Sequence, residues 1–326
     1  MPSTNRMLCL LLSALCCLKI HGQSVPFSSY EQAKKHSLSY HQPAVDFFEG
    51  ALLGNGGLGA VVTTRPDGIM IYFGHNNVWD IRLAENNRAE IGNFNYVFDR
   101  VSKIPDTLKL LTDDPWYRDY VKMAQENYRK PYPRPFPCGA VLLSFDRRKA
   151  ELLGHTLDIS NGLCEVYLLD ANKKKIKVQL FTDMERDSLW IRLTDMNNRA
   201  VPNIFDRIRI MPDPSTPKEF PHYQADEALQ SGVLSFRQIL PRREPDQNDT
   251  SEHYPGDKAF RLTASVNLPL IKESRIDWNG NEQPMSLLEA GFEPGKELLV
   301  CISLEEGMDS AVSKQPLLRK PALEDF

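Results

Sequence analysis

From residue 140 onward the chain repeats one pattern: a short run rich in β-branched and aromatic residues, a turn signal, then another such run. Residues 140–145, 155–159, 164–169, 176–181 and 188–193 are runs of this kind, with Asn161-Gly162 and Asp170-Ala171-Asn172-Lys173 as turns between them. Further runs follow at 205–210, 233–240, 260–266 and 298–302. Strands that recur about every 8–12 residues build sandwiches or barrels, because one short strand cannot bury its apolar face alone. Residues 176–181 alternate apolar and polar side chains, which predicts a strand with one face in the core and one in water. This reading makes the chain all-β.

Nearer the amino end, Gly54, Gly56 and Gly59 match the dinucleotide-binding pattern G-x-G-x-x-G. That site needs a helix directly behind the glycines, whose amino end meets the pyrophosphate. Ala60-Val61-Val62-Thr63-Thr64 follows instead, a β-branched run with strand preference. Arg65-Pro66-Asp67-Gly68 is a strong turn signal, and residues 69–73 are a second strand-like run. The order glycine loop, strand, turn, strand is a hairpin, so no nucleotide cofactor is expected and the glycines serve close packing beside a sheet.

Helical signals are few. Residues 116–129 predict one helix, stopped by prolines at 131, 133, 135 and 137, and the run 131–137 reads as an extended polyproline-like connector. Residues 211–221 and 241–256 read as long loops.

The first residues carry a separate message. Arg6 precedes a short apolar run, 7–18, and polar residues around His21-Gly22-Gln23 follow, the pattern of a secretory signal peptide ending near Gly22. The run is too short to span a bilayer, and no later segment is apolar enough, so the protein is expected to be exported, periplasmic or extracellular, with no membrane contact after cleavage. Cys9, Cys16 and Cys17 leave with that peptide. Cys138, Cys164 and Cys301 remain, too far apart for a disulfide framework or a metal pair, and Cys164 and Cys301 read as buried free thiols. A formal charge of −4 gives no general grip on nucleic acid.

Two stretches together carry a family resemblance. Residues 51–61, then 69–73, then His75-Asn76-Asn77-Val78-Trp79, are similar to the opening of the α-L-fucosidase-type bacterial glycoside hydrolases. There a segment "ALPLGNGRLGA" leads through a hairpin to "NEDTLW". Residues 153–193 resemble that family's run of consecutive strands. The resemblance implies a large two-sheet antiparallel β-sandwich with a few short helices, followed in full-length relatives by an (α/α)₆ barrel that carries the catalytic carboxylates. His75-Asn76-Asn77 replaces the family's acidic pair, and residues 306–326 read as a linker toward a barrel beyond Phe326. The expected organisation is a signal peptide at 1–22, the sandwich at 23–305 and that linker. Such a chain carries no catalytic residues of its own and would not hydrolyse glycosides alone.

Glycosidic cleavage needs two carboxyl groups about 5–10 Å apart, one kept protonated by its surroundings. The aromatic-flanked candidates are Asp80, Asp114 and Asp277, each also readable as a turn or cap residue. Sugar hydroxyls meet amides and carboxylates while sugar C–H faces lie on indole rings. On that basis His75, Asn76, Asn77, Trp79 and Asp80, with Asn55 of the glycine loop, are the candidate carbohydrate contacts. The competing reading is a hairpin-end loop with Asn76 and Asn77 in turns and Trp79 in the core. No G-x-S-x-G or H-E-x-x-H motif is present, Asp246-Gln247-Asn248-Asp249 lacks the closing residues of a calcium loop, and no metal or cofactor is expected. Asn248-Asp249-Thr250 is a glycosylation sequon. Three functions stay open: the supporting domain of a glycoside hydrolase, a free-standing carbohydrate-binding module, and a structural or interaction domain.

Overall fold

A computed structural model describes residues 28–80, 92–128, 134–212, 223–225, 232–240, 257–279, 284–293, 295–312 and 321. The expected signal peptide, the loop at 241–256 with its sequon, and residues 213–221 of the other expected loop lie outside them.

The fold is the expected all-β sandwich of two antiparallel sheets. Nine strands form the first, in the order β1 (Leu38–Tyr40), β6 (Ala150–Asp158), β7 (Leu163–Asp170), β8 (Lys175–Thr182), β9 (Ser188–Asp195), β16 (Leu299–Met308), β13 (Lys258–Val266), β12 (Val233–Ile239) and β11 (Tyr223–Ala225). Seven form the second: β14 (Leu270–Asn279), β15 (Pro284–Phe292), β10 (Arg207–Met211), β5 (Arg134–Ser144), β4 (Gly68–Asp80), β3 (Leu58–Arg65) and β2 (Ala51–Gly54). One continuous apolar core joins the sheets: Val62, Ile71, Leu143 and Ile208 from the second meet Val166, Leu180, Ile191 and Ile302 from the first. Each such side chain contributes about 1.5–3 kcal/mol by leaving water. Phe136 of β5 lies 6.1 Å from Phe260 of β13, which lies 5.9 Å from Phe236 of β12, so an aromatic chain spans the layers.

The glycine-rich segment leads into a hairpin, as its sequence requires. β3 and β4 pair from Arg65↔Gly68 to Leu58↔His75, and no helix follows Gly59. Four helices occur among the described residues: α1 (Ser29–Lys34), α2 (Phe94–Val101), α3 (Pro115–Tyr128) and α4 (Asp309–Val312). None is long and apolar enough to cross a membrane. α3 is the helix expected at 116–129. Its entry is set by Asp114, whose Oδ1 accepts from the Tyr117 N–H at 2.9 Å, with Pro115 in the first turn where its missing N–H costs nothing. Helices α2 and α3 interrupt the connection between β4 and β5, which close on each other at Asp80↔Arg134.

Four expectations are corrected. Residues 134–137 belong to β5 rather than to a polyproline connector, and 131–133 lie outside the described residues. The sheet tolerates Pro135 and Pro137 because β10 pairs β5 only from Ala140 to Ser144 and the β4 register slips beside them, leaving edge positions where a donor is dispensable. Lys177 and Gln179, expected in water, are each only 6% exposed. They lie on the outward face of a central strand, where Glu165 accepts from Lys177 Nζ at 2.6 Å and from Gln179 Nε2 at 3.0 Å. Glu165 is pushed up by burial but held below the usual carboxylate range by the bonds from Lys177, Gln179 and Tyr167. Cys301 is half-buried on the outward side of β16, whereas Cys164 is fully buried and its thiol is pushed up to about 12 by burial. Asp277 lies inside β14, opposite Ser286, not in a turn.

Candidate functional site

The candidate residues gather where β2, β3 and β4 meet the turn between β8 and β9. Asn55 folds its side chain over its own turn: Oδ1 accepts from the N–H groups of Gly57 at 3.0 Å and Leu58 at 2.8 Å. Its Nδ2 donates across the sandwich to the carbonyls of Asp183 and Arg186, both at 2.9 Å. Gly56 has φ +96, which glycine adopts freely, and a Cβ on Gly57 would lie 2.6 Å from Asp187 Oδ1. The loop therefore needs glycine to bring the backbone against Asp187.

Asp187 is the hub. Oδ1 accepts from the Leu58 N–H at 3.1 Å, and Oδ2 lies 3.0 Å from Nε2 of His75. The Asp187 carbonyl accepts from Leu304 N–H of β16 at 2.9 Å. Partial burial pushes its carboxyl up, but the bonds from His75 and Asn55 outweigh that and hold it below the usual range. His75 Nδ1 accepts from the Asn77 N–H at 3.2 Å, so the ring proton sits on Nε2 and is donated to Asp187. The His75 side chain is only 3% exposed.

Beyond His75 the register with β5 slips before Trp79, and exposure departs from strict alternation. Val78 and Asp80 are buried, while Asn76, Asn77 and Trp79 face outward. These residues lie in strand β4, so the hairpin-end loop with Trp79 in the core is overturned: pleating points Trp79, 41% exposed, away from its buried neighbours Val78 and Asp80. Trp79 Nε1 donates to the Asn76 carbonyl at 2.6 Å, which fixes the indole on the surface. Asn77 Nδ2 donates to Glu306 Oε1 of β16 at 2.9 Å, a second link between the sheets. Asp80 is fully buried opposite Arg134 in the register.

The structure thus sorts the six candidates. Asn55, His75 and the Asn77 amide are engaged by the protein, Asp80 is enclosed, and Asn76 and Trp79 form an outward amide-and-indole pair. Sequence reasoning missed Asp187 and Asp183, whose only local sign is the turn-like Asp183 to Ser188 segment, and Glu306 of β16, which has none. A glycosidase acid must be held protonated, yet every described carboxyl that is displaced from its ordinary value (Asp146, Asp158, Glu165, Asp187 and Asp195) is displaced downward. Among the described residues no three His, Cys, Asp or Glu side chains converge to hold a metal ion.

A family model for the N-terminal domain of glycosyl hydrolase family 65 matches residues 38–211, just over half of the chain. Comparison with curated proteins gives no match. Among solved structures, the chain is similar to a protein assigned as a kojibiose phosphorylase from the human microbiome, with TM-score 0.38 and 9% identity over 86% of this chain and 33% of that one. It is also similar to a family GH92 inverting mannosidase from Bacteroides thetaiotaomicron, with TM-score 0.25 and 8% identity over 55% of this chain and 23% of that one. The chain spans about a third of the first protein's length and under a quarter of the second's.

Proposed function

This chain belongs to the N-terminal domains of glycosyl hydrolase family 65, and we propose that it serves as the non-catalytic sandwich of an exported glycoside hydrolase. In this role it supports a helical catalytic barrel and presents Trp79 and Asn76 to carbohydrate. The observation that carries the reading is the division of labour along β4. Val78 and Asp80 are enclosed and His75 and Asn77 are bonded within the protein, while Trp79 and Asn76 offer an aromatic face beside an amide, the pairing that sugar C–H faces and hydroxyls require. A docking partner is supported by the helices in the β4–β5 connection, where Phe94 is 78% exposed and Phe98 and Leu110 are also bare. Exposed apolar clusters of this kind mark interaction surfaces.

The purified chain should give no turnover on aryl α-L-fucosides, the substrate type that the glycine-loop resemblance suggests. It should bind glycans saturably, and Trp79→Ala should weaken that binding about tenfold, the factor carried by about 1.4 kcal/mol of lost ring contact. Turnover that vanishes when Asp80 or Asp187 is replaced would overturn the supporting role. Glycan binding unaffected by Trp79→Ala would overturn the contact strip.

A further inference from the structure

The outward face of the seven-stranded sheet carries a second polar site, at the opposite end of β4 from Trp79. Register partners run across it in one row: Arg65 of β3, Gly68 of β4, Ser144 of β5, Arg207 of β10 and Gly291 of β15. Two guanidinium-bearing positions stand three strand spacings apart, about 14 Å at the backbone. Between them lie a glycine and a serine, so the row is a trough walled by Arg65 and Arg207.

A cavity of about 550 Å³ occupies it, lined by Arg65, Arg207 and Ser144 together with Asp67, Asp146 and Asp206. Leu142 and Phe145, both buried, complete its lining. The Ser144 hydroxyl is buried and has no hydrogen-bond partner among the described residues. Such a group is costly to leave unmatched. Two of the three arginines are loosely held: Arg65 Nε lies 3.4 Å from Asp67, and Arg207 Nη1 lies 3.6 Å from Glu289, beyond good hydrogen-bond range, while Arg209 is hydrogen-bonded to Glu289. Asp146 and Asp206 are oriented by Arg148 and Lys149 and keep acceptor capacity to spare. Arg148 holds the Asp146 carboxyl down at about 2, so it is an acceptor at any working pH.

We propose that this trough binds a neutral saccharide. Each pyranose hydroxyl both donates and accepts, and the lining answers both demands: the aspartates accept, the arginines donate, and Ser144 does either. Arg65, Arg207 and Arg209 balance Asp67, Asp146 and Asp206 in the lining, so no excess cation selects a phosphate or sulfate. Gly68 and Trp79 are separated along β4 by about 35 Å at 3.3 Å per residue, so the trough is independent of the Trp79 strip. An exported enzyme holding a glycan at both places would grip it away from the point of cleavage.

The test is a titration of the full chain with D-glucose, D-galactose, D-mannose, L-fucose and maltose, read from the Leu142 methyl resonances. At least one neutral sugar should shift them saturably. Arg207→Gln should weaken that sugar about tenfold, the factor of a lost hydrogen bond to a charged group. Ser144→Leu, which fills the trough, should abolish the shift, and Trp79→Ala should leave it unchanged. Because Arg207 is a half-exposed side chain, its variant keeps the test valid if Ser144→Leu fails to fold. Leu142 methyls that stay still for every neutral sugar, or that respond only to inorganic phosphate or sulfate, would overturn the proposal. So would binding that Trp79→Ala removes and Arg207→Gln does not.

Discussion

The two ends of the β4 strand handle polar groups in opposite ways. At the Trp79 end, Asn55, His75, Asp187 and Asn77 bond to one another, to backbone and to Glu306, and the bonds cross from one sheet to the other. At the Gly68 end, charged side chains face a cavity, Arg65 and Arg207 are loosely paired and a buried hydroxyl goes unmatched. A polar cluster whose members satisfy each other is a fastening and has little left for a ligand. One that is left incomplete is an offer to something outside the chain. The sequence motif that draws the eye, the glycine loop, sits in the fastening.

Removing polar groups at each end should therefore give unequal results. The largest effect is expected for Asp187→Ala, which leaves the His75 Nε2–H without an acceptor and strips the Leu58 N–H of one of its two. Chemical unfolding should show a loss of about 2 kcal/mol, since a buried unmatched donor costs about 1–3 kcal/mol. A loss under about 0.5 kcal/mol, as for an ordinary surface change, would erase the contrast between the ends.

Acid should loosen the fastening in a smaller and graded way. The Asp187 carboxyl is held below its unfolded value, so its contribution is complete above about pH 4 and is lost as pH falls through its lower folded value. His155, stacked on Tyr40 at 5.0 Å, has its ring depressed below the ordinary value of about 6.5 by burial, with Glu49 opposing weakly. Below pH 6.5 the unfolded chain takes up that proton first, so stability declines there before the Asp187 limb begins. Asp187→Asn should make the lower limb shallower without removing it, since Asp146, Asp158, Glu165 and Asp195 are also held low, and should leave the upper limb unchanged; melting temperatures across pH 2–8 would check it.

The smallest effect is expected at the other end. Ser144→Ala removes a hydroxyl that has no described partner, so stability without ligand should change by less than about 0.5 kcal/mol, or rise slightly. A loss comparable to that of Asp187→Ala would mean that the hydroxyl is already matched within the protein and that the trough is closed.

Much of the fold was legible because its strands carry their own pattern. The β3–β4 hairpin, the strands from β5 to β9 and the helix capped by Asp114 follow from local composition and turns. Others were hidden for identifiable reasons. β14 contains a register shift between Ile271 and Ser274, which breaks the period-two signal, and β1 and β11 are too short to show one. The burial of Lys177 reflects its place in the middle of a nine-stranded sheet, a tertiary fact that alternation alone reads as exposure. For the site, the outward strip was visible as His75-Asn76-Asn77-Val78-Trp79, but Asp187 was not. Its partners His75 and Asn55 lie 112 and 132 residues away, and no local pattern encodes a bond across that separation. The trough was invisible for the same reason, since its row of residues comes from five separate strands.

The most direct test of the fastening is a double-mutant cycle on His75 and Asp187, measured by chemical unfolding of the wild type, His75→Ala, Asp187→Ala and the pair. A cross-sheet bond between them predicts a coupling of about 1–2 kcal/mol. Single losses that simply add, within about 0.5 kcal/mol, would contradict it and free both side chains for another role.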